Sequence, residues 1–485
     1  MTERTPHRRR FASTGVFSRR EMLCRAANGF GGLALTALMA EASAAAETRR
    51  DVNPMLPRPS HYPAKAKAVI FLFMDGGPSQ MDTFDPKPRL AREAGRKIPL
   101  ETPTTVFNIS DQIFPSPFAF RRHGESGAWV SELFPHVAEC VDDLAIIRSM
   151  VADHSEHTAA NYFMHTGSGF QGRPSMGSWI TYGLGSHCRN LPGFVVLDSG
   201  LIPPGGLDIF GSGFLPAAYQ GMLFRRGKHP IADLEPRETT PEHQQGKLAL
   251  LRKLNQSVLE RFGAVSEVEA AISNYELAFR MQSEVPGLLD LGGESAAVRK
   301  HYGLDESDTE EFGRQCLLAR RMIERGVRFI ELLTPRRRTD RWDQHARLEQ
   351  GHRMNAKATD KPIAALLKDL KARGLLKDTL VVWGGEFGRT PTAQFHADPN
   401  ATGRDHNPFG FTMWMAGGGV KGGTTYGATD EYGYFAVEDK VHVHDLHATI
   451  LHLLGIDHTK LTFHFSGRDM RLTDVHGEVI HDILA

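Results

Sequence analysis

The chain has 485 residues, enough for one large α/β domain or two smaller ones. Its 41% hydrophobic and 24% charged residues are ordinary for a globular protein, and 57 Lys and Arg balance 57 Asp and Glu. Taking out the seven Arg and three Glu of residues 1–46 leaves 50 basic against 54 acidic residues with no basic stripe, which argues against nucleic acid as a partner.

The N-terminus is expected to be a targeting segment. Ser18-Arg19-Arg20-Glu21-Met22-Leu23 has the twin-arginine pattern, an apolar stretch runs from Ala26 to Ala40, and Ala42-Ser43-Ala44 offers a small-residue cleavage site. Residues 1–46 then form the signal peptide, and the twin-arginine translocon is the partner during export. The protein works in the periplasm or outside the cell, or stays tethered if the leader is retained. Residues 47–65, rich in Pro and charge, are expected to be a linker. Cys140, Cys188 and Cys316 are too scattered for a disulfide framework or a CxxC metal pair; free buried thiols are expected, with a single bridge as the alternative.

The first strand begins near Ala68, and its apolar run Val69–Met74 leads into Asp75-Gly76-Gly77, where the carboxylate is either a metal ligand or a helix-capping or turn residue. A second strand spans Leu144–Met150. After it, His154 to Gly167 is a loop turning into a helix that stops at Thr166-Gly167. His157 and Thr158 stand at its start, as ligand, base or nucleophile, or as a polar helix start. Phe194–Leu197 is a third strand. The stretch from about Glu242 to Arg280 is mostly polar and helical, and the segment of about 235–325 is expected to be a helical insertion. A further helix covers about Glu311–Arg325, stopped by Gly326.

The C-terminal half alternates strand and helix. The strand Val327–Leu333 is followed by Asp343 and His345, which either share an ion or lie on a surface loop. The Arg336–Arg338 run is expected to be a solvated loop. A helix of about Met354–Arg373 presents Ile363, Leu366, Leu367 and Leu370 on one face. The strand at Thr379 ends in Glu386, and His406 precedes the strand at Phe411. Arg389 and Arg404 flank these residues and either bind an anionic ester oxygen or form structural ion pairs. A last helix runs from Asp445 to Leu454, and His442, His444, His447 and His452 are expected at the surface or rim. Alternation of strands and helices predicts an α/β fold with a mostly parallel sheet. Acids and imidazoles at strand ends suit a divalent cation held by Asp75, Asp343, His345, Glu386 and His406. Gly167-Ser168-Gly169-Phe170-Gln171-Gly172 matches GxGxxG but follows a helix, so it is expected to be coincidental.

The leader, Gly76-Gly77-Pro78-Ser79-Gln80-Met81-Asp82-Thr83-Phe84-Asp85-Pro86-Lys87-Pro88, Trp342-Asp343-Gln344-His345, Gly385-Glu386-Phe387-Gly388-Arg389-Thr390-Pro391 and Arg404-Asp405-His406-Asn407-Pro408 together resemble the alkaline phosphatase superfamily, in its sulfatase-like branch. More closely, they resemble a bacterial twin-arginine-exported family classed as a domain of unknown function (1501). The resemblance covers nearly all of the mature chain. It implies an alkaline phosphatase-like three-layer sandwich over residues 66–485 and one or two divalent ions, with zinc, calcium, magnesium and manganese not distinguished. It further implies a small-molecule or polysaccharide anionic ester as substrate. In the superfamily a nucleophile sits nine residues before a Thr-Gly pair. Here that position is His157, with Thr158 beside it. A histidine expected after Glu386 is replaced by Phe387. No cysteine lies in the C/S-x-P-x-R setting that formylglycine sulfatases need. The implied activity is an exported metal-dependent hydrolase of phosphate or sulfate esters. The other reading is a secreted binding or scaffold protein that keeps the fold without catalysis.

Overall fold

The computed structural model describes residues 54–103, 105, 110–227, 230–231, 240–262, 266–335, 341–394 and 402–485. The leader and the Arg336–Arg338 run lie outside them. Nine strands among the described residues form the main sheet: β1 (Ala68–Phe73), β2 (Leu144–Val151), β3 (Phe194–Leu197), β4 (Met222–Phe224), β5 (Phe329–Leu333), β6 (Thr379–Gly384), β7 (Phe411–Ala416), β8 (Thr424–Tyr426) and β9 (Val441–His442). Their order is β8-β2-β7-β6-β1-β5-β3-β4, with β9 beside β2. The central strands β1, β5 and β6 are buried along their whole length, which explains their mostly apolar sequences; the acid within β5, Glu331, is buried against His165 Nε2 at 2.7 Å.

The longer helices among the described residues are α1 (His157–Thr166), α2 (Met176–Leu184), α3 (Pro241–Phe262), α4 (Ser266–Leu289), α5 (Glu310–Glu324), α6 (Leu348–Ala372) and α7 (Val443–Leu453). One face of the sheet packs on α4, α5 and α6 through Val285, Leu317, Leu366 and Ile330. The other packs on α1, α2 and α7 through Phe163, Trp179, Leu446 and Phe73. The alternation of elements predicts the α/β fold with a mostly parallel sheet, and the three layers are those that the resemblance implies.

The strand alternation alone would make β7 parallel, but β7 pairs antiparallel with both β2 and β6. The reason lies in the connection. The segment from β6 to β7 forms no crossover helix among its described residues. It folds instead through a short antiparallel ribbon, Gly388–Arg389 with His406–Asn407, so β7 returns in the opposite direction. Trp383 and Trp414 face each other across that return with stacked rings 5.9 Å apart. The polar helical stretch divides into α3 and α4. Met281, Val285 and Leu288 of α4, with Phe312, Cys316 and Leu317 of α5, are buried in the core, so this part of the expected insertion contributes to one outer layer.

Helix α1 is defined at both ends by side chains. Glu156 at its N-cap accepts the N–H groups of Thr158 and Ala159, and Gly167 ends it in the left-handed conformation (φ 68°). His444 Nε2 donates to Gly167 O (2.9 Å) and His447 Nε2 to Met164 O (2.8 Å). This corrects the surface expectation for two histidines: His444 and His447 are 4% and 0% exposed, because they satisfy carbonyls at the end of α1. His442 instead caps α7 in a reciprocal box with Asp445, and His452 meets the Tyr62 hydroxyl at 2.9 Å. The described part of the expected linker is bound along the domain: Arg58 N–H donates to Leu184 O (2.9 Å) and Lys65 N–H to Leu453 O (2.9 Å). Cys140 and Cys316 are buried free thiols, and Cys188 is free and half-buried. Among the described residues, no helix is long and apolar enough to cross a membrane.

Candidate metal centre

At the C-terminal edge of the sheet, three imidazoles and one carboxylate converge. One ligand atom each from His157, Asp343, His345 and His406 lies within 4.8 Å of all the others. Three segments bring them together. His157 opens α1, Asp343 and His345 follow β5, and His406 sits on the ribbon before β7. Gly76, just past β1, lets the Trp342–Asp343 backbone pass at this point. A Cβ there would stand 2.6 Å from the Asp343 nitrogen, and its φ of 103° disfavours any other residue.

All three rings turn Nε2 inward. Nε2 of His345 and His406 lie 3.0 and 3.1 Å from Asp343 Oδ1, and His157 Nε2 lies 3.1 Å from Asp343 Oδ2. The outward nitrogens are each held by an acceptor. His406 Nδ1 bonds Ser155 O (2.6 Å), His157 Nδ1 bonds Glu386 Oε1 (2.7 Å), and His345 Nδ1 bonds the Gln394 side-chain oxygen. A carbonyl oxygen only accepts, so His406 carries its hydrogen on Nδ1 and a neutral ring leaves a lone pair on Nε2. Burial, the largest influence on His406, outweighs its contact with Asp343 and pulls its pKa down to about 4, so the ring is neutral at pH 7. That lone pair faces a carboxylate oxygen at 3.1 Å and His345 Nε2 at 2.9 Å. Such acceptors repel unless a proton or a cation lies among them.

In the metal-free state His157 takes a proton. Burial works against it, but bonds to Asp343 and Glu386 and the charges of both raise its pKa to about 9. Burial alone would raise the pKa of Asp343, yet the Arg389 charge and the three imidazoles hold it well below the usual carboxylate range. The donor set, one carboxylate and three imidazoles with their far nitrogens tethered, fits a borderline divalent cation.

The sequence-nominated residues therefore separate. Asp343, His345 and His406 come together as expected, and His157 joins them. Glu386 stands behind the ring of His157: it is fully buried, and its carboxylate also accepts the Gly76 N–H at 3.0 and 3.2 Å. Asp75 lies outside the four. Its Oδ2 accepts from Arg341 Nη1, and its Oδ1 is buried without a partner among the described residues. Thr158 is exposed, and its hydroxyl donates to the N-cap carboxylate of Glu156 (3.0 Å) rather than turning to the cluster.

The anion-binding expectation for the two arginines is corrected. Arg389 is 0% exposed, and its Nη2 donates to Asp343 Oδ1 (2.6 Å) while its Nε donates to Gly77 O (3.0 Å), so it positions the ligand carboxylate. Arg404 is also 0% exposed; its Nε donates to buried Asp82 Oδ2 (2.8 Å) and its Nη1 to Phe114 O (3.0 Å) and Thr390 O (3.2 Å). Both guanidiniums are satisfied by the protein itself. Sequence reasoning missed Arg341 and Gln394. The place of Arg341, two residues before Asp343, was the available signal. Gln394 had none, because its contact with His345 crosses 49 residues.

No curated protein matches the sequence. Solved structures overlap it loosely. A PsFucS1 sulfatase from Pseudoalteromonas sp. is 14% identical over 80% of this chain and 68% of its own, with TM-score 0.32. The lipoteichoic acid synthase LtaP from Listeria monocytogenes is 11% identical over 88% and 80%, with TM-score 0.33. A variant of TAB5 alkaline phosphatase with bound Mg is 9% identical over 73% and 92%, with TM-score 0.31. Overlap at this level leaves the site to be judged on this chain's own residues. The family model described as "Protein of unknown function (DUF1501)" matches residues 66–484, and the chain belongs to the DUF1501 family.

Proposed function

We propose that this protein is an exported, metal-dependent hydrolase of phosphate or sulfate esters, with His157, Asp343, His345 and His406 holding one divalent ion. The observation that carries the reading is the convergence of three imidazole Nε2 atoms on one carboxylate, each ring tethered through its other nitrogen. A bound divalent ion would supply Lewis-acid polarisation of the ester oxygen and acidify a water for attack. Glu386, Gln394 and the Ser155 carbonyl orient the rings, and Arg389 fixes the Asp343 carboxylate. The opening toward solvent lies over Asp343, His345 and His157, whose side chains are 27%, 20% and 17% exposed, so an ester group reaches the centre from that side. With Thr158 turned to Glu156 and His157 placed among the ligands, water rather than a side-chain hydroxyl is the attacking group. The same orientation of Thr158 also favours a second reading, a secreted protein that binds the anionic ester without cleaving it.

The test is elemental analysis of the purified protein beside Asp343→Ala and His406→Ala, followed by a screen of phosphate and sulfate esters. One ion per chain in the wild type, lost from both variants, with turnover of an ester in the screen, is the expected result. Metal without turnover supports the binding protein. A wild type that holds no metal and is as stable with chelator as without sinks the hydrolase reading.

A further inference from the structure

A third arginine, Arg341, was not nominated from sequence, and it meets the nominated carboxylate Asp75. Arg341 Nη1 donates to Asp75 Oδ2, and its Nη2 donates to Ile202 O at 2.8 Å. Its backbone is left-handed (φ 50°), uncommon for a non-glycine residue, and the buried amides of Gln344 and Asn355 secure it by donating to Arg341 O. From this fixed backbone the side chain reaches Asp75. The three arginines differ in access: Arg389 and Arg404 are 0% exposed, whereas the Arg341 side chain is 15% exposed. Its Nε–H has no acceptor among the described residues.

Asp75 supplies the second half of the argument. It is a buried carboxylate at the end of the central strand, 2% exposed, beside the four-residue cluster and not part of it. A buried carboxylate needs a compensating charge, and here that charge is a guanidinium. We propose that Arg341 is the second cation of this centre: it neutralises Asp75 in place of a second metal ion and presents its open N–H groups to the anionic oxygens of the substrate. The inference rests on the metal-centre reading above and deepens it. It assigns a one-metal site and names the anion-recognising residue. The planar fork of a guanidinium matches two oxygens of a phosphoryl or sulfuryl group, which a lysine in the same place would meet only as a point charge.

The experiment uses the full protein, saturated with zinc or manganese and desalted. Metal content is measured by elemental analysis, and binding of inorganic phosphate and sulfate by titration calorimetry, for wild type, Arg341→Gln and Arg341→Lys. The expected result is one ion per wild-type chain, anion affinity at least ~10-fold weaker in Arg341→Gln, and a smaller, several-fold loss in Arg341→Lys. Thermal midpoints identify a variant that fails to fold, and the lysine variant, which keeps a cation on Asp75, then carries the test. Two ions in the wild type, or unchanged anion affinity in a folded variant, overturns the inference and leaves the hydrolase reading standing. A metal-loaded wild type that binds neither phosphate nor sulfate also overturns it. A wild type that takes up no metal at all fails both.

Discussion

Replacing Arg404 separates a structural arginine from an anion-binding one. Arg404 and Asp82 are both 0% exposed and paired at 2.8 Å, and Asp82 also accepts from the Ser79 hydroxyl at 2.5 Å. Burial pushes the Asp82 carboxyl up, but the charges of Arg404 and His352 and the bonds from Arg404 and Ser79 hold it below its ordinary value. Arg404→Met leaves this carboxylate buried without its cation and removes donors from Phe114 O and Thr390 O. Breaking a buried pair from one side costs about 3–5 kcal/mol, far more than the pair contributes over an apolar replacement, because an uncompensated charge remains. Asp82→Asn should be milder, since the amide still accepts one guanidinium hydrogen. The double variant should recover part of the loss, with a coupling energy of about 2 kcal/mol or more. The assay is urea unfolding followed by tryptophan fluorescence, for which Trp179, Trp342, Trp383 and Trp414 are buried reporters. The reasoning is refuted if Arg404→Met stays within about 0.5 kcal/mol of wild type and loses phosphate affinity instead, the outcome for an arginine that faces the ligand.

Three further outcomes are expected. Glu386→Gln keeps a hydrogen-bond acceptor for His157 but loses the charge, so metal affinity falls roughly 10- to 100-fold with stoichiometry unchanged, measured by competition with a fluorescent chelator. Chelation of the loaded protein lowers its stability by mass action, about 2.7 kcal/mol for metal held at 100 times its dissociation constant; a melting curve indifferent to chelator contradicts a built site. In acid, His352 and His447 govern stability: burial depresses each to about 3, against about 6.5 in the unfolded chain. Their contribution is complete above pH ~6.5 and is lost as pH falls toward 3, because the unfolded chain takes up protons that the folded chain refuses. Unfolding free energy should therefore drop by several kcal/mol across that window. His447→Gln, which keeps an amide donor for Met164 O, should flatten the pH dependence.

The sequence determined what local pattern encodes. Mostly apolar runs gave the buried strands β1, β5 and β6, because a strand covered on both faces has no solvated side; Glu331 within β5 is held instead by buried His165. The spacing of Ile363, Leu366, Leu367 and Leu370 gave the inner face of α6, and Thr166-Gly167 gave the end of α1. Acids and imidazoles after one strand and just ahead of another pointed to Asp343, His345 and His406: parallel strands deliver their C-terminal ends to one edge of the sheet, and antiparallel β7 begins at that edge. Only the tertiary structure decided which of the nominated side chains point at one another. Asp75 ends the most legible strand of all, yet it turns to Arg341, and Glu386 stands behind the ring of His157. Arg389 and Arg404 look alike in sequence as cations beside the site, but both are consumed by buried partners. His444 and His447 look like a surface tract until α1 brings its carbonyl ends against them. In each case the partner lies far away in the chain, and the choice between ligand, support and cap is made by which oppositely disposed group arrives within hydrogen-bond distance. That is a property of packing, which residue type and spacing along the chain do not carry.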